Sequence, residues 1–276
     1  MTRLFGVIGH PIGHSLSPAM HRAALAAMRL DARYDPYDVP PEFLPPMLEA
    51  LMLAGVEGLN VTVPLKEAVR PLLDRLDPPA AAIGAVNTIV ARRRRLIGFN
   101  TDGVGFRQAL RELGWRPRPA TALVLGAGGA ARAVAWELAR VRGSRVILAN
   151  RTGARARRLA SWLTRRLPGA DVVVSPWRRA PAEAADLIVN ATSVGMRPSD
   201  PPPVEPRRVR PGTLVYDLVY HRTTALVRET RRRGCIAADG RSMLLYQGAE
   251  SLRLWLGVRP PVAPMRRALE GLLPRG

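Results

Sequence analysis

A chain of 276 residues with 47% apolar content can bury a substantial core, and its length suggests one large or two medium domains, of which two is the expectation. No apolar run approaches the roughly 18 residues of a membrane span, and Met1 to Gly13 lacks the basic, apolar and small-residue succession of a secretory leader, so a cytoplasmic protein is expected. Cys235 is the only cysteine, which excludes an intrachain disulfide and a cysteine-built metal cluster and fits a reducing compartment.

The net charge is +20, which raises the question of nucleic acid. The arginines are nevertheless spread along the chain, with short runs only at Arg92 to Arg95 and Arg231 to Arg233, and no aromatic-interleaved stripe accompanies them. A solvated arginine-rich surface is the expectation, with no nucleic-acid or membrane partner.

In chain order, Leu4 to Ile8 reads as a strand, followed by helical spacing of Met20, Ala23, Ala24, Ala27 and Met28. Arg33 to Val39 and Gly58 to Val63 read as strands separated by a helix through Phe43, Met47, Leu51 and Leu53. Val86 to Ala91 and Arg95 to Phe99 pair around an arginine turn, and Thr101 to Leu113 returns to helical periodicity. Ala122 to Leu125 is an apolar strand running straight into Gly126-Ala127-Gly128-Gly129-Ala130-Ala131, then a helix through Val134 and Leu138 and a strand at Arg145 to Ala149. Further strands are expected at Asp171 to Val174, Leu187 to Asn190 and Leu214 to Leu218, with a proline-rich loop from Pro198 to Pro211. Two helical stretches after about residue 240 can pack back on the first domain. The fold class is α/β, with a substrate domain at 1–103 completed by 241–276 and a Rossmann-type domain at 104–240.

The turn at Gly126 to Ala131 has the strand, glycine, helix, strand context in which a G-x-G-x-x-A match gains weight. Glycines let backbone approach a pyrophosphate at a helix N-terminus; the competing reading is a tight turn and nothing more. At the end of the second strand stand Asn150-Arg151-Thr152, with Arg155 one turn on and no carboxylate. Arginine accommodates a 2′-phosphate where an acidic residue would bind a 2′-hydroxyl, so the cofactor indicated is NADP(H). Thr152 also suits a helix cap.

Gly9 to His21 is rich in glycines and hydroxyls after a strand. Ser17, before Pro18, reads as an N-cap, whereas Ser15 has no such duty, and two hydroxyls at this spacing suit a polyhydroxylated ligand. The histidines lack partners at metal-ligand spacing, and no metal is expected. Asn60, Thr62 and Lys66 fall at a strand's carboxyl end, where open α/β sheets bind ligands, and Asn87-Thr88 and Asn100-Thr101-Asp102 reach neighbouring strand ends. Asp102 reads equally as a catalytic group or a helix cap.

Lys66 is the only lysine among 42 basic residues. Guanidinium stays protonated, whereas a desolvated ammonium can give up its proton. Either this position must exchange a proton or one lysine has survived by chance.

With these motifs assembled, the chain resembles shikimate dehydrogenase from about Gly6 to Gly248. Further matches are Gly84 to Thr88, Gly98 to Gly103, Asn190 to Met196, Tyr216 to Tyr220 and Tyr246-Gln247-Gly248. The resemblance implies a catalytic pair of Lys66 and Asp102. It implies that Ser15, Ser17, Thr62, Asn87, Asp102 and Gln247 hold the substrate, with Asn60 and Tyr220 nearby. It implies cofactor contacts at Gly126, Ala127, Gly128, Gly129, Ala130, Asn150, Arg151, Thr152, Arg155, Leu218 and Gly240. Arg22 and Pro78 depart from the family pattern, where asparagine and an acidic residue are usual.

The expected activity is reversible NADPH-dependent reduction of 3-dehydroshikimate to shikimate, in the supply of chorismate and aromatic amino acids, by a monomer or homodimer. Quinate or amino-shikimate dehydrogenase is the alternative on the same scaffold. A basic nucleic-acid binder with a degenerate Rossmann domain, or an idle NADP sensor, would lack turnover.

Overall fold

The computed structural model describes residues 2–93 and 95–272. The chain divides into two units, Met1–Gly105 with Leu244–Gly276, and Phe106–Met243. In the first part of the chain β1 (Arg3–Gly9), α1 (Ser17–Ala27), β2 (Ala32–Asp38), α2 (Leu44–Leu53), β3 (Val56–Val61) and α3 (Leu65–Ala68) alternate. β4 (Arg75–Leu76), α4 (Pro78–Ile83), β5 (Thr88–Arg92), β6 (Arg95–Phe99) and α5 (Asp102–Glu112) follow. Their sheet runs β2-β1-β3-β5-β6-β4. β1 is parallel to β2 and β3, but β5 is antiparallel to β3 and to β6. That reversal places the start of β5 beside the ends of β3 and β6, with Asn60 opposite Thr88 and Thr88 opposite Phe99.

From residue 121 the chain forms β7 (Thr121–Leu125), α6 (Gly129–Ala139), β8 (Arg145–Ala149), α7 (Gly153–Arg166) and β9 (Asp171–Ser175). It continues through β10 (Leu187–Asn190), β11 (Leu214–Asp217), α8 (Ala225–Arg232) and β12 (Ile236–Ala238). This sheet is parallel throughout, in the order β12-β11-β10-β7-β8-β9, the doubly wound order that reverses direction between β7 and β10. Parallel strands covered on both faces lack polar alternation, and β7 is accordingly buried from Ala122 to Leu125. Ala122 and Val124 join the core beneath α5, α6 and α7, while Leu123 and Leu125 join the core beneath α8.

The final helices, α9 (Arg241–Leu256) and α10 (Val262–Gly271), cover the first sheet, so the α/β fold has the expected C-terminal return. Trp255 of α9 stacks on Phe5 at 5.1 Å and donates its indole N–H to the Ile89 carbonyl at 2.8 Å. A Cβ on Gly58 would lie 2.3 Å from that indole, so glycine is what lets the helix approach the strand.

Three elements escape the sequence reading. β4 and β12, of two and three residues, are too short to show periodicity. α4 starts at a Pro-Pro pair after Asp77, whose carboxylate accepts the Ala80 N–H at 2.8 Å. β3 ends at Val61 rather than Val63, although the Thr62 N–H still reaches the Ile8 carbonyl and the Val63 carbonyl the His10 N–H; beyond them Pro64 has no N–H to extend the ladder. The arginine turn between β5 and β6 has Arg93 at φ 50°, and Arg94 lies outside the described residues.

Candidate active site

At one edge of the first sheet, the strand ends bring polar residues singled out by sequence into one hydrogen-bonded cluster. Lys66, on α3 directly after β3, places Nζ 2.5 Å from Asp102 Oδ2. The lysine side chain is 13% exposed and the aspartate 5%, so this pair is largely withdrawn from water. The other carboxylate oxygen accepts the Asn87 amide at 2.9 Å. Asn87 Oδ1 accepts the backbone N–H of Thr101 at 2.8 Å, which fixes Nδ2 on the carboxylate side. Nδ2 also lies 3.1 Å from Gln247 Oε1 and 2.9 Å from Thr101 Oγ1. Asn60 is buried behind Asn87, reaching its carbonyl at 3.2 Å.

Asp102 is no helix cap. It is the first residue of α5, its N–H goes to Asn100 Oδ1 at 3.1 Å, and its carboxylate is left for Lys66 and Asn87. Ser17 is not the N-cap the sequence suggested. It is already helical, Leu16 holds the N-cap position with no side-chain cap bond, and the Ser17 N–H goes to Ser15 Oγ at 3.3 Å. Thr62 lies next to the end of β1, its methyl packed where Gly9 leaves room for it.

In the second unit, the expected cofactor residues gather at the carboxyl ends of β7, β8 and β11. Gly126 has φ +116°, and a Cβ there would lie 2.7 Å from the Ala191 carbonyl. Gly128 is the N-cap of α6, and a Cβ on it would meet nothing within 4 Å. The first N–H groups of a helix have no partner within it, and Gly129 and Ala130 supply two of them at half-buried positions beside that space, an arrangement suited to a phosphate. Ala127 is buried between the two glycines. At the end of β8, Asn150 donates to the Thr152 carbonyl at 2.9 Å and so shapes the turn that presents Arg151, exposed like Arg155. Thr152 occupies the N-cap position of α7 without a side-chain cap bond. Gly240 abuts Leu218, where a Cβ would lie 2.3 Å from the Leu218 carbonyl oxygen. These residues fit a dinucleotide carrying an extra phosphate.

Tyr220 follows β11, its ring edge-on to His221 at 4.3 Å, and burial raises its phenol to about 12. Beside it, Asp217 organises the loops after β10 and β11. It accepts from Asn190 at 2.9 Å, Thr224 at 2.7 Å and the Val219 N–H at 3.1 Å, while burial raises its carboxyl to about 6.

The two family departures have local uses. Arg22 donates to the Tyr34 carbonyl and to Asp35, and Pro78 opens α4. Sequence reasoning missed Tyr34 and Ser251, both fully buried and bonded to Asn60. The available signal was the four-residue spacing from Gln247 to Ser251, which puts both on one helix face. Among the described residues no group of three or more His, Cys, Asp or Glu is arranged to hold a metal, and no helix is long and apolar enough to cross a membrane.

Comparison with known proteins agrees with this geometry. The family model for the shikimate dehydrogenase substrate binding domain matches residues 7–89, and that for the shikimate 5′-dehydrogenase C-terminal domain matches 240–270. The chain is 50% identical to a shikimate dehydrogenase (NADP(+)) of Rubrobacter xylanophilus over 98% of this chain and 96% of that protein. It is 49% identical to that of Moorella thermoacetica, over 97% and 92%. Among solved structures, shikimate 5-dehydrogenase from Thermus thermophilus, in complex with NADP(H) and shikimate, matches with a TM-score of 0.88 at 41% identity, covering 98% of this chain and all of that one.

Proposed function

We propose that this chain, which belongs to the shikimate dehydrogenase family, catalyses the reversible NADPH-dependent reduction of 3-dehydroshikimate to shikimate, with Lys66 and Asp102 as its catalytic pair. The observation that carries the reading is the 2.5 Å contact between Lys66 Nζ and Asp102 Oδ2, nearly excluded from water and held on its far side by Asn87. NADPH supplies the hydride taken up by the ring carbonyl carbon, and the glycine turn at Gly126 to Ala130 with Asn150, Arg151, Thr152, Arg155, Leu218 and Gly240 would hold it.

As that carbon gains hydride, negative charge builds on the oxygen. The Lys66 ammonium donates a proton to it and becomes the neutral amine, and in the oxidation direction that amine takes the proton back from the hydroxyl. Asp102 accepts from the reacting hydroxyl and keeps the ammonium aimed, while Asn87 prevents the carboxylate from rotating away. Ser15, Ser17, Thr62 and Gln247 supply hydrogen-bonding groups suited to the remaining hydroxyls and the carboxylate of the substrate, with Asn60 and Tyr220 as supporting residues. We place this activity in the cytoplasm, carried out on a small molecule by a monomer or homodimer.

The test is direct. Purified protein is mixed with shikimate and NADP, and absorbance of the reduced nicotinamide is followed, with NAD and quinate in parallel. Rapid NADP-dependent signal with shikimate is the expected result. A higher kcat/KM with quinate would reassign the substrate, and silence with every pair from folded protein would remove the catalytic reading.

A further inference from the structure

We propose that Ser251 is a positioning residue for this reaction, acting through Thr88 to add a second hydrogen bond onto Asn87 Oδ1 and so steady the carboxamide, already turned by the Thr101 N–H, with its own N–H on Asp102. The proposal rests on the catalytic reading of Lys66 and Asp102.

Asn87 Oδ1 can only accept, so the Thr88 hydroxyl, 3.1 Å away, gives its single proton there and accepts the Ser251 proton at 2.8 Å. Ser251 Oγ, fully buried on α9, has the Gln247 backbone carbonyl at 3.0 Å as its other acceptor and itself accepts from Asn60 Nδ2 at 2.9 Å. Tyr34 sets the far end by donating to Asn60 Oδ1 at 2.8 Å, so the Asn60 amide must direct its N–H groups toward Ser251 and Asn87. Thr88 and Thr101 then stand between Ser251 and Asn87, with the Thr88 hydroxyl 3.1 Å from Asn87 Oδ1. The chain of donors and acceptors runs in one sense from Tyr34 to Asp102. Buried networks specify a single arrangement only when every member is satisfied.

Deleting the Ser251 hydroxyl leaves Asn60 short of a buried acceptor and Thr88 without the proton that Ser251 gives it. Thr88 is then free to turn its own proton away from Asn87 Oδ1, and the carboxamide that orients Asp102 is held there by Thr101 alone. Ser251 also lies one turn from Gln247, whose side chain meets Asn87 directly, so both contacts of α9 with the site depend on the same helix face.

Steady-state constants of Ser251→Ala test this. kcat/KM for shikimate should fall about tenfold, the cost of an unmade buried hydrogen bond expressed at the reacting group, while KM for NADP stays unchanged. In an Asn87→Ala background the same substitution should have no further effect, because the residue it acts through is gone. Tyr34→Phe, which removes only the hydroxyl at the far end, should reproduce the pattern at about threefold and decides the matter should Ser251→Ala not fold. Unchanged shikimate constants, or equal losses with and without Asn87, would overturn the proposal while leaving an active wild type and its catalytic pair intact. A wild type without shikimate turnover overturns the catalytic reading itself.

Discussion

The two units build their strand-end sites from opposite materials. In the first, the edge of the sheet carries side chains, and Asn60, Asn87, Thr88, Thr101, Asp102 and Ser251 are buried and bonded to one another. In the second, the corresponding edge carries backbone, with Gly126 pressed against the Ala191 carbonyl, Gly128 beside open space before a helix and arginines left in solvent. A ring that must be held by hydroxyls and protonated at one oxygen needs side chains of fixed polarity. A pyrophosphate needs only N–H groups and room. Substitutions in the first edge should therefore change chemistry, and substitutions in the second should change affinity or folding.

The largest expected effect tests the first half of that statement. Lys66→Arg keeps a positive charge next to Asp102 but cannot release its proton, so kcat should fall on the order of a thousandfold while circular dichroism and thermal melting stay close to wild type. Turnover near the wild-type rate in that variant would mean that the proton comes from elsewhere and that the lone lysine serves as charge alone.

Acid and base should also divide the units. His21, fully buried and stacked on Tyr34 at 4.1 Å, has its imidazole lowered to about 4 by burial. Its neutral form is the one that folds. The stability it carries is full above the unfolded value of 6.5 and is lost as pH falls toward 4, about 3 kcal/mol in all. Asp217 has the opposite sign. Raised by burial from 3.8 to about 6, it carries stability that is full below the lower value and lost as pH rises through the upper one, again about 3 kcal/mol. Denaturant melts at about pH 4.5 and pH 7 compare the wild type with His21→Phe and Asp217→Asn. The first variant should gain on wild type in acid and the second at neutrality. Parallel profiles for all three proteins would break the contrast.

Gly126→Ala probes the backbone edge. A methyl group there must adopt φ +116° and lie 2.7 Å from a main-chain oxygen that has no rotamer to escape into. The cost is about 2 kcal/mol of stability, with weakened stabilisation by NADP in thermal melts. A variant that melts like wild type and keeps its NADP shift would show that the turn yields more easily than its geometry implies.

The same contrast governs what could be read in the sequence. The second unit was legible in its details, because a glycine turn between an apolar strand and an alanine-rich helix depends on local sequence. The first was legible in its members but not in their bonding. Whether Asp102 caps α5 or faces Lys66 depends on where the helix starts and on the Lys66 and Asn87 side chains that meet its carboxylate, and Asp102 alone gives no sign of that. Ser15 and Ser17 look alike in composition and are told apart only by which one the helix start reaches. Tyr34 and Ser251 are separated by over two hundred residues and meet across Asn60, so no local pattern announces them. The short elements β4 and β12 form because neighbouring strands pair with them, at lengths where periodicity carries no signal.

The smallest effect is expected at the solvent-facing rim of the second site. Arg151 and Arg155 are exposed and stand where no carboxylate follows β8, an arrangement suited by its charge to the 2′-phosphate of the proposed cofactor site. Each guanidinium remains solvated, and removal of one leaves the other, so Arg151→Ala should raise KM for NADP about tenfold, near the lower limit for a charged hydrogen bond. KM for NAD should stay where it is, because NAD lacks the phosphate, and kcat should be unchanged because the Lys66 edge is untouched. Equal rises for both cofactors would mean that Arg151 supports the turn itself rather than the phosphate, moving the preference for NADP onto Arg155 and the Asn150 to Thr152 backbone.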